Sequence, residues 1–170
     1  MSEEISSDVG YLINLLNGNQ MSGGELCEIS YGNENINGKN QLTKEQTQQQ
    51  PTINIKQQLD NKKYLTLVMI DPDAPSGENP ITGPFIHWIL ANFKANGGKD
   101  GQAICAYTGP GPRPGTGKHR YMFLIYQSDE QVKEDRKFDT IPERRKFPMA
   151  TFVENNHLTL IYQTLFTVDA

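Results

Sequence analysis

Four side chains that can bind a ligand or move a proton lie in two short, stiff stretches of this sequence. Asp71 opens the turn Asp-Pro-Asp-Ala-Pro-Ser, which leads to His87, while His119 and Tyr121 end a stretch rich in glycine and proline. Imidazole and phenol groups donate and accept hydrogen bonds, and a histidine can gain a charge near neutral pH. A carboxylate can orient a histidine or accept a proton. The first hypothesis for these residues is a binding pocket.

Two enzymatic alternatives use the same residues. Asp71, His87 and His119 form the two-histidine, one-carboxylate set that suits non-haem iron, although their spacing along the chain is not local. An Asp/His pair can also activate water for hydrolysis. The sequence contains no Gly-x-Ser-x-Gly nucleophile motif, and neither cysteine lies beside a candidate base.

Rigid turns deliver these side chains. Seven of the ten prolines lie within 71–88 and 109–121, and because proline fixes φ, the backbone there can hold a few side chains still. Taken alone, the first stretch is also explained as a plain type I turn, which favours Asp and Pro. The second is not a Walker phosphate loop, because Lys118 is followed by a histidine rather than by Ser or Thr.

Strands dominate the secondary structure that the sequence predicts. Residues 32–58, rich in Asn, Gln and Gly, predict a long polar loop region without a domain boundary. Because helices do not alternate with strands, the pattern favours an antiparallel or mixed β-sandwich over a doubly wound α/β fold. We expect one mainly β domain over residues 1–170. The predicted strands are 26–31, 52–55, 64–70, 85–93, 102–107, 119–127 and 157–168, and the predicted helices are 8–17, with Asp8 as N-cap, and 147–156, with Pro148 at its first position.

Alternation along the strand that begins at Phe85 places its side chains on two faces. Successive side chains in a strand point to opposite sides of the sheet. Phe85 and His87 should therefore share one face, and Ile86 and Trp88 the other.

The same rule applies to the strand that begins at His119. The side chains of His119, Tyr121 and Phe123 should share a face, while Arg120 points the other way. His119 and Tyr121 can then line the same pocket, which Arg120 cannot easily join. His157 follows two asparagines and is expected at the surface or in a loop.

Composition excludes several other classes of protein. A net charge of −4 leaves no general basic footprint, which argues against a protein that grips nucleic acid. Cys27 and Cys105 lack zinc-site spacing, and buried thiols are favoured over a disulfide. The acidic N-terminus contains no apolar segment, so we expect no signal peptide, and no apolar run is long enough to span a bilayer. A cytoplasmic location is the default expectation.

The two stretches together resemble the signature regions of the phosphatidylethanolamine-binding protein family, also called the Raf kinase inhibitor protein family. The resemblance is carried by Asp-Pro-Asp-Ala-Pro-Ser at 71–76, by His-Trp at 87–88, and by Gly-Pro-Arg-Pro-Gly-Thr-Gly-Lys-His-Arg-Tyr at 111–121. It is strong over 64–127, weaker over the final strand and poor over the first 55 residues. The plant flowering-time regulators belong to the same family.

The resemblance implies a large central sheet packed on a smaller one, short helices at the ends, and a small pocket for phosphate or phosphoryl head groups. The resemblance does not suggest a metal, and we rank the iron-site and hydrolase alternatives below binding, so we expect no catalytic residue and no cofactor. It also implies a signalling regulator or inhibitor, with a phosphoethanolamine-like ligand, a protein kinase or protease as partner, and peripheral membrane contact. The implied ligand-binding residues are Asp71, Phe85, His87, Gly111, Pro112, His119 and Tyr121, and the implied supports are Asp73, Pro75, Pro84 and Arg120.

Residue types in this pocket suggest a pH-dependent affinity. Two imidazoles and a phenol can donate hydrogen bonds to phosphoryl oxygens, and protonation of an imidazole adds charge. We therefore expect anion affinity to rise as the pH falls through about 6.5, the pKa of an unperturbed histidine.

The chain departs from the family at two sites beside the pocket. Pro84 and Phe85 stand where the family usually has an acidic residue and a large aromatic, often tryptophan. Phenylalanine has a weaker cation–π face than tryptophan, so a ligand's ammonium group should be held less well. The sequence ends at Ala170, so we expect no C-terminal helix over the pocket and a more open, less amine-selective site. We also predict a cis Gly83–Pro84 bond, with Ala74–Pro75 as a second candidate.

Overall fold

The computed structural model describes residues 6–18, 21–57, 59–77, 80–94, 100–136 and 138–170, which form two β-sheets and three short α-helices. The mainly β prediction is confirmed, and the longer predicted elements lie within two residues of the observed ones. The strands are β1 Cys27–Tyr31, β2 Glu34–Asn35, β3 Asn40–Leu42, β4 Thr52–Ile55, β5 Tyr64–Asp71, β6 Phe85–Phe93, β7 Gln102–Cys105, β8 Lys118–Ser128 and β9 Thr159–Asp169. The helices are α1 Ser7–Gly18, α2 Ile141–Arg144 and α3 Met149–Asn155, and a 3-10 turn spans Glu45–Thr47.

The larger sheet has the strand order β3-β9-β8-β5-β6-β7, and the smaller one has the order β2-β1-β4. Strand pairs are antiparallel except β3 and β9, which run parallel. The sandwich is therefore of the mixed kind. The longest strand pairs are β5 with β6, β5 with β8, and β8 with β9. These pairs therefore fix the relative positions of residues at the ends of the central strands.

Both faces of the larger sheet are buried, which explains the apolar run in β5. Val68 packs with Phe152 of α3 in a cluster on the helical side. Leu67 packs with Ile29 of β1 in a second cluster, between the two sheets. A strand covered on both sides reads as a continuous apolar segment rather than as an alternating one.

Three details of the prediction are corrected. The 32–58 region is not simply a loop, since it contains β2, β3 and the 3-10 turn in addition to the extended piece β4. Asp8 is not the N-cap of α1: the hydroxyl of Ser6 accepts from the backbone N–H of Asp8 at 3.0 Å. The Asp8 carboxylate instead accepts from the backbone N–H of Ala150 at 2.9 Å and so joins α1 to α3. Pro148 immediately precedes α3 rather than opening it.

Other predictions hold. Both cysteines are free and buried, and the Gly83–Pro84 and Ala74–Pro75 bonds are both cis. Among the described residues, no helix is long and apolar enough to cross a membrane. The glycine-rich segment 97–101, for which the sequence predicts a loop, lies partly outside the described residues.

Candidate functional site

Antiparallel pairing brings the candidate site residues together at one end of the central strands of the larger sheet. β5 ends at Asp71, which pairs with Phe85 at the beginning of β6. β8 begins at Lys118 on the other side of β5, where Ile70 pairs with Met122. The end of one central strand therefore meets the beginnings of both its neighbours, and the two motif stretches become neighbours in space although they are far apart in the chain.

Asp71 and His119 form a buried pair. The Nδ1 atom of His119 lies 3.1 Å from Oδ2 of Asp71. The hydroxyl of Thr116 donates its one hydrogen to the carbonyl of Arg113 at 2.7 Å, so it must accept from Nε2–H of His119, at 2.8 Å. Because Nε2 carries a hydrogen, the Nδ1–Oδ2 contact holds one further proton between ring and carboxyl. Gly115 and Gly117, with φ of +83° and +84°, flank Thr116 and allow the turn that brings its hydroxyl to the ring.

The pKa shifts of this pair agree with a shared proton. Burial raises the pKa of Asp71, against the opposing effect of its hydrogen bond with His119. The hydrogen bond with Asp71 raises the pKa of His119, against the opposing effect of burial. Both directions favour retention of the shared proton, and a pair holding that proton has no net charge.

Asp73 and Arg120, the two implied supports, form an ion pair beside Asp71. The guanidinium donates twice to the Asp73 carboxylate, from Nε and Nη2, each at 2.9 Å. The same carboxylate accepts from the backbone N–H of Arg120 at 3.0 Å. The backbone N–H of Asp73 donates to Oδ1 of Asp71 at 2.7 Å. The bidentate pair therefore anchors the turn after β5 to β8 and fixes the second oxygen of Asp71.

His87 occupies a β-bulge, and this corrects the predicted faces of β6. Ile70 pairs with Ile86 and Met69 pairs with Trp88, which leaves His87 as the extra residue. Ile86 consequently packs on the helical side of the sheet, and Trp88 packs between the two sheets. The strict alternation that placed Ile86 and Trp88 on one face is wrong because a bulge shifts the side chains that follow it.

One hydrogen bond defines the tautomer of His87. Its Nδ1 atom lies 2.7 Å from the carbonyl oxygen of Thr108, and the backbone N–H of Thr108 donates to the carbonyl of His87 at 2.9 Å. A carbonyl only accepts, so Nδ1 carries the hydrogen and a neutral ring keeps a lone pair on Nε2. At neutral pH this imidazole presents an acceptor rather than the donor that its residue type suggests.

Arg144, which sequence reasoning missed, lies beside the backbone of His87. This residue is 3% exposed, and its guanidinium donates to the carbonyls of His87 at 3.1 Å and Ala106 at 2.9 Å. Burial lowers the pKa of His87 to about 4, the Thr108 hydrogen bond opposes this, and the Arg144 charge lowers the pKa further. The sequence signal available was Thr140-x-x-Glu143, which is typical of a helix start. It predicts α2 but not the burial of an arginine within it.

Aromatic rings connect the polar groups. Phe85 packs on His87 with ring centroids 4.8 Å apart, and His87 meets Tyr121 edge-on at 5.2 Å. The ring of Tyr121 stacks on Phe166 of β9 at 5.3 Å. Burial raises the pKa of Tyr121, so its hydroxyl remains protonated and available as a donor. In the part of the chain that the structure describes, no group hydrogen-bonds this hydroxyl.

The four polar candidates are almost completely buried. Asp71, His87, His119 and Tyr121 are between 1% and 4% exposed, because the loop between β7 and β8 reaches the site through Thr108 and Thr116. Ligand access must therefore run through a narrow opening or require that loop to move.

The polar segment after β3 clamps the same loop. Tyr107 donates its hydroxyl hydrogen to the carbonyl of Thr47 at 2.7 Å, and Gln48 donates to the carbonyl of Pro110 at 2.9 Å. The two predicted wall residues lie further along the loop: Gly111 is exposed, and Pro112 is half-buried. Pro112 lines a cavity of about 500 Å³ with the segment after β3 and the end of β9. The structure thus brings together Asp71, Phe85, His87, His119 and Tyr121, whereas Gly111 and Pro112 lie on the outer part of the loop.

The geometry gives the metal alternative no support. Within the described ranges, no group of three or more His, Cys, Asp or Glu side chains is placed to hold a metal ion. Both nitrogens of His119 and Nδ1 of His87 already face hydrogen-bond partners.

Comparison with known proteins agrees with the fold. A family model described as phosphatidylethanolamine-binding protein matches residues 21–163. The "26 kDa secreted antigen" of Toxocara canis is 39% identical over 100 residues, which cover 59% of this chain and 37% of that relative, so the match spans well under two thirds of the relative's length.

Two solved structures share the architecture over nearly the whole chain. A carboxypeptidase Y inhibitor, solved in complex with its cognate proteinase, has a TM-score of 0.74 and 23% identity, and the match covers 96% of this chain and 92% of that one. A phosphatidylethanolamine-binding protein from Plasmodium vivax has a TM-score of 0.72 and 19% identity, with 98% of each chain covered. With the family model matching most of its length, this chain belongs to the phosphatidylethanolamine-binding protein family.

Proposed function

We propose that this protein binds phosphate or a phosphorylated head group at one end of the larger sheet, in the site lined by Asp71, Phe85, His87, His119 and Tyr121. We also propose that it has no catalytic activity of its own. The observation that carries the proposal is the convergence of a charge-neutral Asp71–His119 pair with the acceptor of His87 and the hydroxyl of Tyr121. Such a set offers both donors and acceptors to a phosphoryl group in a nearly dry site, where each hydrogen bond is strong.

Binding fits these groups better than hydrolysis does. A general base needs a free nitrogen facing the water that it activates. The Nε2 atom of His119 instead donates to Thr116, so the pair of His119 with Asp71 offers no free base nitrogen. His87 is oriented by the carbonyl of Thr108 rather than by a carboxylate, which leaves it a weak base.

The experiment is a calorimetric titration of phosphate and phosphoethanolamine into wild-type protein and the Tyr121→Phe variant. A hydrogen bond from a neutral donor to a charged acceptor contributes about 1.5–3 kcal/mol, so the variant should lose roughly 10- to 100-fold in affinity. Tyr126→Phe is the matched control, since Tyr126 lies on the same strand and bonds to Tyr11 instead, at 2.9 Å. Equal affinity in wild type and Tyr121→Phe contradicts the proposed site.

We further propose that the protein regulates or inhibits a partner protein, with a protease as the first candidate and a protein kinase as the second. The structural neighbour described as a carboxypeptidase Y inhibitor supports the protease class. Inhibition assays against carboxypeptidase Y and against a panel of serine carboxypeptidases and kinases test this directly. Inhibition of none of them at micromolar protein counts against the regulatory role while leaving ligand binding intact.

We propose separately that the protein is cytoplasmic and that it makes peripheral contact with membranes. Two free, buried cysteines are compatible with a cytoplasmic protein, and cell fractionation tests that location. Peripheral contact with lipid, which the family resemblance implies, is tested by sedimentation with vesicles that contain phosphatidylethanolamine. Absence of co-sedimentation removes the membrane contact but not the soluble phosphoryl ligand.

A further inference from the structure

We propose that burial, reinforced by the charge of Arg144, holds His87 as a neutral hydrogen-bond acceptor, so that the site selects a phosphate monoester that still carries one proton over a phosphodiester. The ligand half of this inference rests on the proposed function. The part of the inference that concerns His87 does not rest on the proposed function, because it describes the protein without a ligand.

The first step is the fixed tautomer of His87. Since Nδ1–H is committed to the carbonyl of Thr108 at 2.7 Å, the neutral ring can interact with a ligand only through the lone pair of Nε2. No described residue forms a hydrogen bond with Nε2. A ligand atom placed there must bring its own hydrogen.

The second step is the buried charge of Arg144 beside the backbone of His87. The guanidinium of Arg144 donates to the carbonyls of Ile86, His87 and Ala106 and approaches the sulfur of Cys105 at 3.2 Å. No carboxylate among the described residues lies within ion-pair distance of it, so its positive charge is stabilised by dipoles and not cancelled. A second cation on His87 would be placed next to it in a buried site.

The third step is the other groups that face His87. On β8 these are His119 and Tyr121, and on β5 the nearby charged group is Asp71. The proton shared by Asp71 and His119 leaves that pair neutral, and Tyr121 keeps its proton. Asp73 is paired with Arg120, so among the described residues we find no unpaired carboxylate that would favour an imidazolium at position 87. With a pKa of about 4, only about one His87 in a thousand is protonated at pH 7.

The preferred ligand follows from the number of protons that each phosphate species carries. A phosphate monoester has a second pKa of about 6 and carries an O–H below it. A phosphodiester has no such hydrogen, and a doubly ionised monoester has lost it. The oxygens of these two species would meet the lone pair of Nε2, which repels them. The site should therefore take the singly protonated monoester, and affinity should depend on the ionisation of the ligand rather than on that of a histidine.

Calorimetry between pH 5 and 8 tests the ligand half with phosphoethanolamine, the diester glycerophosphoethanolamine, and methylphosphonate, whose second pKa is higher than that of a phosphate ester. We expect at least tenfold weaker binding of the diester with little pH dependence. The midpoint for the other two should move upward from phosphoethanolamine to methylphosphonate. Equal affinity for mono- and diester, or a midpoint that is the same for both ionisable ligands, overturns the proposal. Binding of none of the three overturns the proposed function instead.

Histidine NMR tests the protein half without any ligand. In wild-type protein we expect His87 to show the Nδ1–H tautomer and no titration above about pH 5. Arg144→Gln should raise the pKa of His87, and Arg144→Lys should restore part of the depression. Arg145→Gln is the matched control, because the neighbouring Arg145 is exposed. A wild-type His87 that titrates near pH 6.5 overturns the inference even if the Arg144 variants fail to fold, and so does a folded Arg144→Gln protein with an unchanged pKa.

Discussion

The free energy of unfolding should pass through a maximum near pH 6.5, because the two buried histidines change their proton affinity in opposite directions on folding. In the unfolded chain both titrate at about 6.5. Folding lowers the pKa of His87 to about 4 and raises the pKa of His119. Each shift makes stability depend on pH over a different window.

His87 sets the acid side of the maximum. Between about pH 6.5 and 4 the unfolded chain binds a proton at this ring and the folded protein does not, so stability falls as the pH is lowered. The slope for one proton is about 1.4 kcal/mol per pH unit. Over the 2.5 units between 6.5 and about 4, His87 therefore accounts for roughly 3 kcal/mol of lost stability.

His119 sets the alkaline side. Its pair with Asp71 keeps a proton that the unfolded chain releases above about pH 6.5, so stability falls again as the pH rises towards the folded pKa of the pair. The contribution is fully present below the unfolded pKa and is lost above the folded one. The slope has the same limit of about 1.4 kcal/mol per pH unit, with the opposite sign.

Urea denaturation at half-unit steps from pH 4 to 9, in wild type and three His→Asn variants, measures both arms. The difference between wild type and His87→Asn should depend on pH only below about 6.5. The difference for His119→Asn should depend on pH above about 6.5, and also in the acid range, where the buried Asp71 carboxyl has lost the partner that opposes its protonation. His157→Asn is the matched control, because His157 is exposed and asparagine tolerates its φ of +51°. If both site variants lose stability by a constant amount at every pH, the assigned protonation states are wrong.

Two substitutions test the scaffold around the site. Gly109→Ala should destabilise the protein by about 2–4 kcal/mol, since its Cβ would lie 2.6 Å from the carbonyl oxygen of Thr47 and would disturb the clamp on the loop. Gly111→Ala, which meets nothing within 4 Å, should stay within about 0.5 kcal/mol, and equal losses in urea denaturation would show that the clamp is unimportant. Asp73→Asn should cost about 1–3 kcal/mol by the same measurement, because it removes the charge that pairs with Arg120. The side chain of Arg120 is 37% exposed and can partly regain hydration, so a loss above 4 kcal/mol, or none, contradicts that reasoning.

The long strands and half of the site were predictable because they depend on local rules. The apolar run of β5 indicates a strand buried on both faces, and the rigid turn after it indicates where the strand ends. Since neighbouring strands are antiparallel, a polar residue at the end of one strand lies close to those that open its neighbours. These two facts place Asp71, Phe85 and His119 together.

The parts that were not predictable depend on distant partners. The bulge at His87 is a property of pairing with β5, and no residue type in β6 encodes it. The strand β3 has only three residues, two of them polar, yet it pairs in parallel with β9, 126 positions further along the chain. Arg144 lies in the charged run 143–146, which reads as surface, and it is buried only because carbonyls of β6 and of residue 106 accept its hydrogens.

The chemistry of each imidazole is decided by its hydrogen-bond partner more than by its place in a motif. His87 and His119 are the same residue type at the same end of the sheet. Burial and the charge of Arg144 keep His87 neutral, and the carbonyl of Thr108 makes its free nitrogen an acceptor. Asp71 and Thr116 instead make His119 part of a pair that shares a proton. Residue types alone suggested two equivalent donors that charge together near pH 6.5. The two rings therefore differ in protonation throughout the neutral pH range. A ligand must donate to the acceptor nitrogen of His87 and must also fit beside the neutral Asp71–His119 pair. That requirement favours a ligand with both oxygen lone pairs and an ionisable hydrogen.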